Sequence, residues 1–521
     1  MGLKYVITRD KETPNLPSVK FNEPTNMPVK RPNFILIISD QHNKHVMGCA
    51  GHPYVQTPNL DRLAKSGTRM TDVYCPYPLC VPSRAGFMSA QYPSDIGVYD
   101  NGGAASFSST TPTFAHALGA AGYEAILCGR MHFGQADPFH GFERRIHGDV
   151  ASNGITREIL GSGLNRTNGQ TKYAVEVAGH GKNGFQAFDK SVTDTACDFI
   201  QNRDPSDRPY AFVVGLMLPH NPLICSKSDF EYYMDRLPLP EPEPRSTLDR
   251  LHPAMRKWRE RRGVDDLSPD QNKRAMAAYL GLVTELDRNV GRILEAARSS
   301  LAFKNTSVLY TSDHGDMCGE HGMWWKSSFY EGSAGIPFIA SWPGRFSENA
   351  TRNEVTSLID VGPTVLELAD APPLPDVSGI SFASLLEGKD EPDWPNQAFC
   401  EYSGLLGDHP SCMIRADQWK LNYYAEFDSC QLFDITSDPE ERNDLAEKPE
   451  CAVIVNQLKA RIDSRWSADA VREAQARQQR ALAVIKNAGH PPHPHDFADF
   501  VAGPKNNRFD FDQLPEKPKG M

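Results

Sequence analysis

Residues 34 to 42 read Phe-Ile-Leu-Ile-Ile-Ser-Asp-Gln-His, an apolar run that ends directly in polar side chains. A continuous apolar run is typical of a strand buried on both faces of a parallel sheet. An acidic residue just past the carboxyl end of such a strand lies where open α/β sheets bind ligands, although a simple turn aspartate explains this stretch equally well. The run predicts a central strand and marks Asp40 and Gln41 as candidate site residues.

The same arrangement of a buried run followed by polar residues recurs along the chain. Apolar runs at 123–128, 212–218 and 308–311 are separated by helical segments with recognisable start and stop residues, such as the segment 57–67. The polar residues that follow these runs are Arg130, His132, His220, Asp313 and His314. The recurrence predicts a doubly wound α/β domain with a site assembled at strand ends.

A chain of 521 residues is too long for one ordinary core, so we expect one large domain and one smaller domain. Residues 1–31 are predicted to form an N-terminal arm and residues 32–388 the catalytic domain, with a surface excursion at 226–272. Residues 389–485 are predicted to be a C-terminal subdomain with a small antiparallel sheet, covered by one helix over about 452–485. Residues 486–521 form a tail whose histidines are interpreted as solvated or subunit-bridging.

Composition excludes several classes of protein. The net charge of −11 argues against a nucleic-acid-binding surface. No apolar run approaches the roughly 20 residues that span a bilayer, and no signal peptide is visible, so we expect no membrane partner and a cytoplasmic location. The eleven cysteines lack framework spacing, which fits reduced thiols. The glycosylation sequons at Asn165 and Asn305 are then chance matches.

Residues 80–84 read Cys-Val-Pro-Ser-Arg after a proline-rich approach. Pro82 suits the first turn of a helix, which would place Cys80 at the positive N-terminal end, where an anionic group is favoured. Taken alone, the pattern is also explained by a buried structural cysteine. Cys-x-Pro-x-Arg resembles the signature of the sulfatases, in which a dedicated enzyme oxidises the cysteine to formylglycine. Ala90 stands where that family usually has glycine.

The resemblance covers roughly residues 32 to 445. The clusters at 40–41, 80–84, 130–132 and 313–314 occur in the order found in sulfatases of the alkaline phosphatase superfamily, and segments 57–67, 359–364 and 432–441 also match. It implies an alkaline-phosphatase-like fold, with a large mixed sheet flanked by helices and a smaller C-terminal α+β domain. An inactive homologue would show losses at these clusters, and none is seen.

The resemblance implies that one divalent cation is bound by Asp40, Gln41, Asp313 and His314. Oxygen ligands favour Ca²⁺, and the imidazole ligand makes Mn²⁺ an alternative. Many sulfatases have aspartate and asparagine at the positions of Gln41 and His314. That departure is shared with phosphonate monoester and phosphodiester hydrolases of the same superfamily, which are the alternative function.

The resemblance also implies catalytic roles. Formylglycine at position 80, hydrated to a diol, would be the nucleophile, and Arg84 would orient the diol and the metal ligands. Arg130 and Lys326 would offset charge on the sulfuryl oxygens, and His220 and Lys326 would protonate the leaving alcohol. His132 would accept the proton from the second hydroxyl. Singly, such residues have structural explanations, and Lys326 beside two tryptophans could be a surface cation–π partner.

Within the family, segments 98–101, 131–133, 140–143 and 313–334 are most similar to choline-sulfatase-like enzymes. This subgroup implies that Asn101 binds the sulfate and that the substrate is a small-molecule sulfate ester of choline-sulfatase or arylsulfatase type. It also implies a homo-oligomer, a dimer or tetramer, built with the C-terminal tail. A formylglycine-generating enzyme would be the maturation partner. The Met-His-Phe segment at 131–133 favours sulfate over the phosphonate or phosphodiester alternative.

Overall fold

The computed structural model describes residues 31–102, 107–133, 137–150, 169–204, 206–241, 243–404, 410–487 and 508–509. The predicted N-terminal arm (except Arg31), the sequon at Asn165 and most of the predicted tail lie outside these residues. Among the described helices, none combines the length and apolar character needed to cross a membrane.

The strands form sheets of nine, four and three members. In chain order they are β1 (Asn33–Asp40), β2 (Thr68–Tyr74), β3 (Glu124–Gly129), β4 (Arg144–His147), β5 (Gly179–Lys182), β6 (Tyr210–Pro219), β7 (Ile224–Cys225), β8 (Thr306–Ser312), β9 (Gly335–Ser341), β10 (Ala350–Arg352), β11 (Thr356–Ser357), β12 (Gln397–Tyr402), β13 (Ser411–Ala416), β14 (Trp419–Tyr424), β15 (Ser429–Asp434) and β16 (Arg508–Phe509).

Helices flank the large sheet and cover the small one. The α-helices are Pro58–Lys65, Cys80–Ser89, Phe114–Ala120, Lys172–Glu176, Gly184–Gln201, Lys227–Arg236, Arg245–Arg250, Pro253–Arg262, Pro269–Ser299, Glu331–Ala334, Val361–Leu368, Ala383–Leu386, Ala452–Asp463 and Ala468–Asn487. Short 3-10 turns lie at Gly48–Ala50, Phe303–Asn305, Glu320–Gly322, Leu358–Asp360 and Pro449–Cys451.

The large sheet has the order β10-β2-β9-β8-β1-β6-β3-β4, with β11 beside β2. Strand β1 is buried along its whole length and pairs in parallel with β6 and β8. Strand β9 runs antiparallel to both β2 and β8, so the sheet is mixed. Since β1, β3, β6 and β8 are parallel to one another, the residues that follow them meet at one edge. The predicted fold class is confirmed.

One segment has more regular structure than the sequence predicted, and one predicted helix was wrong because it is broken in two. The segment 226–272 is largely helical, with Lys227–Arg236, Arg245–Arg250 and Pro253–Arg262 inside it. The single helix predicted over about 452–485 is broken between Asp463 and Ala468. The break occurs where Trp466 turns into the small core, 7% exposed, and the Ser467 hydroxyl accepts a bond from Ala470 N that begins the next helix.

Strands β12–β15 form the small antiparallel sheet, which has a separate apolar core. A buried ionic network joins this sheet to the large domain: Lys420 Nζ lies 2.7 Å from Glu331 Oε1, and Lys44 bonds the other oxygen of the same carboxylate. Burial would raise the pKa of Glu331, but the two lysines lower it well below its usual range. The boundary near residue 388 stays a prediction.

Candidate active site

Cys80 is the first residue of the helix Cys80–Ser89, every residue of which is buried. The preceding Leu79 is extended, so the helix starts at the cysteine, as Pro82 in its first turn predicted. The helix ends at Ala90 in the left-handed conformation, with φ of 57°. That conformation costs a non-glycine residue about 1 kcal/mol, which explains why glycine is usual at this position.

The thiol of Cys80 faces a cluster of charged and metal-binding groups. Its Sγ lies 3.2 Å from His314 Nε2, 3.1 Å from Lys326 Nζ and 3.6 Å from Asp40 Oδ1. Ligand atoms of Asp40, Cys80, Asp313 and His314 all lie within 4.8 Å of one another, and these residues are buried. The structure therefore brings the nucleophile candidate and three of the four predicted metal ligands to one point.

Arg84 lies beneath this cluster and is 1% exposed. Its Nε donates to Asp313 Oδ2 at 2.8 Å and its Nη2 to Asp40 Oδ2 at 3.3 Å. The remaining contacts are to the backbone oxygens of Ser39 and Arg130. A guanidinium bonded to two carboxylates fixes the relative position of their other oxygens, which face Cys80. Arg84 therefore holds the carboxylates of Asp40 and Asp313 in place.

Asp40 stays ionised in this environment. Burial would raise the pKa of its carboxyl, but the positive charges of His220, Lys326, Arg84 and Arg130 lower it well below the usual range. An ionised, buried carboxylate is stable only because these cations face it. The site is thus positively charged around its acidic centre, which suits an anionic substrate.

Gln41 supplies direct evidence that the cluster fits a cation. Its Nε2 donates to Asp316 Oδ2 at 2.6 Å and to Asn221 Oδ1 at 3.3 Å. The other atom of the amide, Oε1, is buried and has no hydrogen-bond partner among the described residues. A buried carbonyl oxygen without a partner is costly, and the two acceptors around Nε2 fix which way the amide points. The orphaned oxygen could therefore serve as a ligand of a cation.

His314 is prepared as a neutral ligand. Its Nδ1 lies 3.0 Å from Gly315 O, which assigns the proton to Nδ1 and leaves the lone pair on Nε2. Burial lowers the pKa of His314 to about 4, so the imidazole is neutral at ordinary pH. A Cβ on Gly315 would lie 2.0 Å from Gly332 O, so only glycine fits beside the ligand. Two carboxylates, an amide oxygen and an imidazole match a divalent ion.

Arg130 and His132 follow β3 on a loop that turns back toward Cys80. Arg130 Nε lies 3.4 Å from Asp40 Oδ2, and its Nη2 lies 2.6 Å from His132 Nδ1. Burial, followed by the charge of Arg130, lowers the pKa of His132 well below its usual value. His132 is therefore neutral, with Nδ1 accepting from the guanidinium.

Asp149 holds that loop in place. Its Oδ2 accepts from the backbone N–H groups of Met131 and His132, at 3.0 and 2.7 Å. Its Oδ1 lies 3.5 Å from Arg130 Nη1. His132 has a positive φ of 61°, a conformation that needs such support. Asp149 is a positioning residue that sequence reasoning missed.

The substitution Asp149→Asn is expected to lower kcat by about 10- to 100-fold, because an amide cannot both accept the two backbone N–H groups and balance Arg130. The thermal midpoint should fall only slightly, since the replacement keeps the same size. Steady-state kinetics with a sulfate ester will measure the effect. Asp198→Asn, an exposed carboxylate on the helix Gly184–Gln201, is the matched control. An unchanged kcat in Asp149→Asn would contradict the positioning role.

Lys326 is not a surface residue. It is 3% exposed, lies 3.9 Å from Asp40 Oδ1 as well as next to Cys80, and its neighbours Trp324 and Trp325 are also buried. The surface cation–π explanation is therefore wrong. Lys326 and Asp40 form a buried ion pair beside Cys80.

His220 and Asn101 complete the set of predicted residues. His220 lies between the cis peptides Leu218-Pro219 and Asn221-Pro222, with its Nδ1 2.6 Å from Asn221 O. Its neighbours in the chain place it beside the cluster: Pro219 pairs with Asp40 in the sheet, and Asn221 Oδ1 accepts from Gln41 Nε2. Asn101 Oδ1 accepts from Val81 N at 3.1 Å, at the first turn of the Cys80 helix.

Sequence reasoning also missed Asn221 and Asp316, which orient Gln41. Asn221 lies in the polar segment that follows β6, and Asp316 lies in the one that follows β8. Each is one or two residues from a predicted site residue, so its position in the sequence could have marked it as a candidate. Asp149 lies in no recognisable motif, and only the folded loop shows what its carboxylate contacts.

Comparisons with known proteins agree with this geometry. A family model described as Sulfatase matches residues 32–371, a range that contains every site residue named above. A model described as N-sulphoglucosamine sulphohydrolase, C-terminal, matches residues 319–467.

Individual proteins match over most of their length. Choline-sulfatase of Rhizobium meliloti (strain 1021) is 32% identical over 507 residues, covering 90% of this chain and 94% of the relative. Arylsulfatase of Clostridium perfringens (strain 13 / Type A) is 28% identical over 457 residues, covering 81% and 91%. The solved structure of a phosphonate monoester hydrolase of Agrobacterium radiobacter has a TM-score of 0.70 and 21% identity, covering 85% of this chain and 96% of that one.

Proposed function

The chain belongs to the sulfatase family and is a sulfuric ester hydrolase, and from that premise we propose that Cys80, oxidised to formylglycine, provides its nucleophile. The observation that carries the proposal is the contact of Cys80 Sγ with His314, Lys326 and Asp40 at a helix N-terminus. A structural cysteine does not need an ammonium group and a carboxylate around its sulfur. These groups are what a reacting oxygen at position 80 would need.

The hydrated aldehyde would supply an oxygen that attacks sulfur and, after the alcohol leaves, would release sulfate and return to the aldehyde. Family members generally use a divalent metal with this group, and the donor atoms of Asp40, Gln41, Asp313 and His314 fit one. Such an ion would add Lewis acidity beside position 80. Ca²⁺ suits the oxygen ligands and Mn²⁺ the imidazole, and we propose Ca²⁺ as the native ion.

The cationic side chains have separate tasks in this proposal. Lys326, next to Cys80 Sγ, would bind a sulfuryl oxygen and, together with His220, protonate the departing alcohol. Arg84 would hold Asp40 and Asp313 while orienting the diol. Asn101 would donate its amide N–H to the sulfate.

Arg130 and His132 would act in sequence. Arg130 now donates to His132 Nδ1, at 2.6 Å, which blocks that nitrogen as a base. When Arg130 turns to the sulfuryl oxygens of a bound substrate, Nδ1 would become free to accept the proton that sulfate release requires. The depressed pKa of His132 keeps the ring neutral until then.

Maturation and assembly are further proposals. A formylglycine-generating enzyme must oxidise Cys80, and because Cys80 is 1% exposed in the folded chain, we propose that it acts before folding is complete. We also propose a cytoplasmic location, supported by eleven free cysteines, and a dimer or tetramer. The tail that was assigned to assembly lies almost wholly outside the described residues.

A phosphonate monoester or phosphodiester hydrolase is the second candidate. The observations that favour it are the Gln41 and His314 ligands and the shared fold of the Agrobacterium radiobacter enzyme. The resemblance at residues 131–133 and the choline-sulfatase and arylsulfatase relatives favour sulfate.

We expect kcat/KM for phenyl sulfate to exceed that for the matched phenyl phosphonate monoester and the phosphodiester by about 100-fold or more, since transition-state contacts discriminate between such groups by several kcal/mol. All three substrates should carry the same leaving group and be assayed with the same metal-loaded enzyme preparation. A preference for either phosphorus substrate would overturn the choice of sulfate and leave the shared nucleophile intact.

A further inference from the structure

A cavity of about 260 Å³ lies between the helix Pro253–Arg262, the small sheet and the loop that carries Lys326. We call it the Trp258 cavity. Its walls are largely aromatic, and they include Trp258, Phe329, Tyr402, Tyr424 and Phe427. A cavity of about 150 Å³ already accommodates benzene, so this one has room for a substituted six-membered ring.

The Trp258 cavity adjoins the catalytic cluster. Ser327, which lines it, follows Lys326 directly, and its N–H donates to Pro78 O at 3.1 Å, two residues before Cys80. Gln170, on another wall, donates to Ser327 Oγ at 3.2 Å. The adjacent Gly169 O accepts from Asn221, the neighbour of His220, at 3.2 Å. The wall of the cavity is therefore built from residues next to Lys326, Cys80 and His220.

Arg262 gives the cavity its charge. Its Nε donates to Gln170 Oε1 at 3.1 Å, and its guanidinium lies 4.0 Å from the centre of the Trp258 ring. The partners of this guanidinium among the described residues are neutral groups: Gln170, the Trp258 carbonyl at 3.5 Å and Tyr402. Glu426, the acidic side chain among the described residues of the wall, accepts a bond from Lys257 Nζ at 2.6 Å. Arginine is always charged, so a half-buried guanidinium here attracts an anion.

Two rings of the cavity wall already carry a positively charged side chain, which disfavours the binding of a further cation. Arg262 covers the face of Trp258, and Lys257 lies 5.0 Å from the centre of Phe427. His252 stacks on Tyr424 at 4.3 Å. A quaternary ammonium group needs free aromatic faces. In this cavity, Arg262 and Lys257 already lie over two of the rings, Trp258 and Phe427.

We propose that the Trp258 cavity binds the alcohol half of the substrate and selects a ring that carries an anionic substituent, with Arg262 as the residue that determines this specificity. The inference rests on the proposed sulfatase function and narrows it. It favours an arylsulfatase-like over a choline-sulfatase-like substrate. The ring would stack between the aromatic walls, and a carboxylate or second sulfate would pair with the guanidinium.

The test compares kcat/KM for 4-carboxyphenyl sulfate, phenyl sulfate and choline sulfate in the wild type and in Arg262→Gln. We expect the ratio of carboxyphenyl to phenyl sulfate to fall by about 10- to 100-fold in Arg262→Gln, the range of a charged hydrogen bond. The ratio is compared between variants, because the carboxylate also changes the leaving group. Phenyl sulfate hydrolysis should be nearly unchanged, and choline sulfate should be the poorest substrate of the wild type.

Two variants serve as controls. Arg262→Lys keeps the charge and should keep most of the preference, and Arg256→Gln removes an exposed arginine of the same helix outside the cavity. The product 4-hydroxybenzoate should inhibit the wild type more strongly than Arg262→Gln. An equal loss on all substrates in Arg262→Gln, or choline sulfate as the best substrate, would overturn the inference and leave the sulfatase function standing. Hydrolysis of phosphodiesters alone would overturn the proposed function, and inhibition by 4-hydroxybenzoate would still test the cavity.

Discussion

Cys80→Ala is expected to abolish turnover, lowering kcat for phenyl sulfate by about 10⁴-fold or more, the scale seen when a covalent nucleophile is removed. The replacement removes the atom that would become the attacking oxygen, whereas Arg84, Lys326 and the metal ligands keep their mutual contacts. Because Cys80 is buried and small, alanine leaves only a minor cavity. The loss should therefore appear in kcat with the fold and the bound metal retained.

The matched control is Cys197→Ala, a partly exposed thiol on the helix Gly184–Gln201, outside the site. It should keep wild-type kinetics. The mass of the tryptic peptide that contains residue 80 decides the chemistry: active enzyme from its native host should carry the aldehyde in place of the thiol. Full activity with unmodified cysteine would reject the formylglycine proposal while leaving membership of the family untouched.

Much of the site was predictable from sequence because parallel strands bring their carboxyl ends together. Asp40, Arg130, His220 and Asp313 each follow a buried apolar run, and the parallel register of β1 with β6 and β8 gathers them. The local pattern is strong since a strand buried on both faces leaves little room for polar residues before its end.

The contributions that depend on long-range contacts could not be read from the sequence. Asp149 acts through two backbone N–H groups that lie 17 and 18 positions away in the chain. Strand β9 is antiparallel to its neighbours because of the path of the chain between β8 and β10, and no local sequence pattern encodes that path. The Trp258 cavity forms only where the helix Pro253–Arg262 meets the small sheet, which lies 140 or more residues away in the chain. The contact of Lys257 with Glu426 is one example.

Removal of the metal is expected to cause the second large loss of activity. Incubation of the wild type with EDTA should lower kcat by about 10³-fold, in line with the several kcal/mol that a Lewis acid contributes. Readdition of Ca²⁺ or Mn²⁺ should restore turnover, and the ion that restores more identifies the preferred cofactor. Without the ion, Gln41 Oε1 lacks the partner toward which its surroundings turn it.

Asp313→Asn should lower kcat to a similar extent, and EDTA should have no further effect on the kcat of this variant. The substitution keeps the size of the side chain, but its single oxygen cannot face both Arg84 and a cation. Metal content after dialysis should fall well below one ion per chain. Since an ion that binds only the folded state stabilises it, added Ca²⁺ should raise the thermal midpoint of the wild type and of the exposed control Asp393→Asn. The midpoint of Asp313→Asn should stay constant; an equal rise would show that Asp313 does not bind the ion.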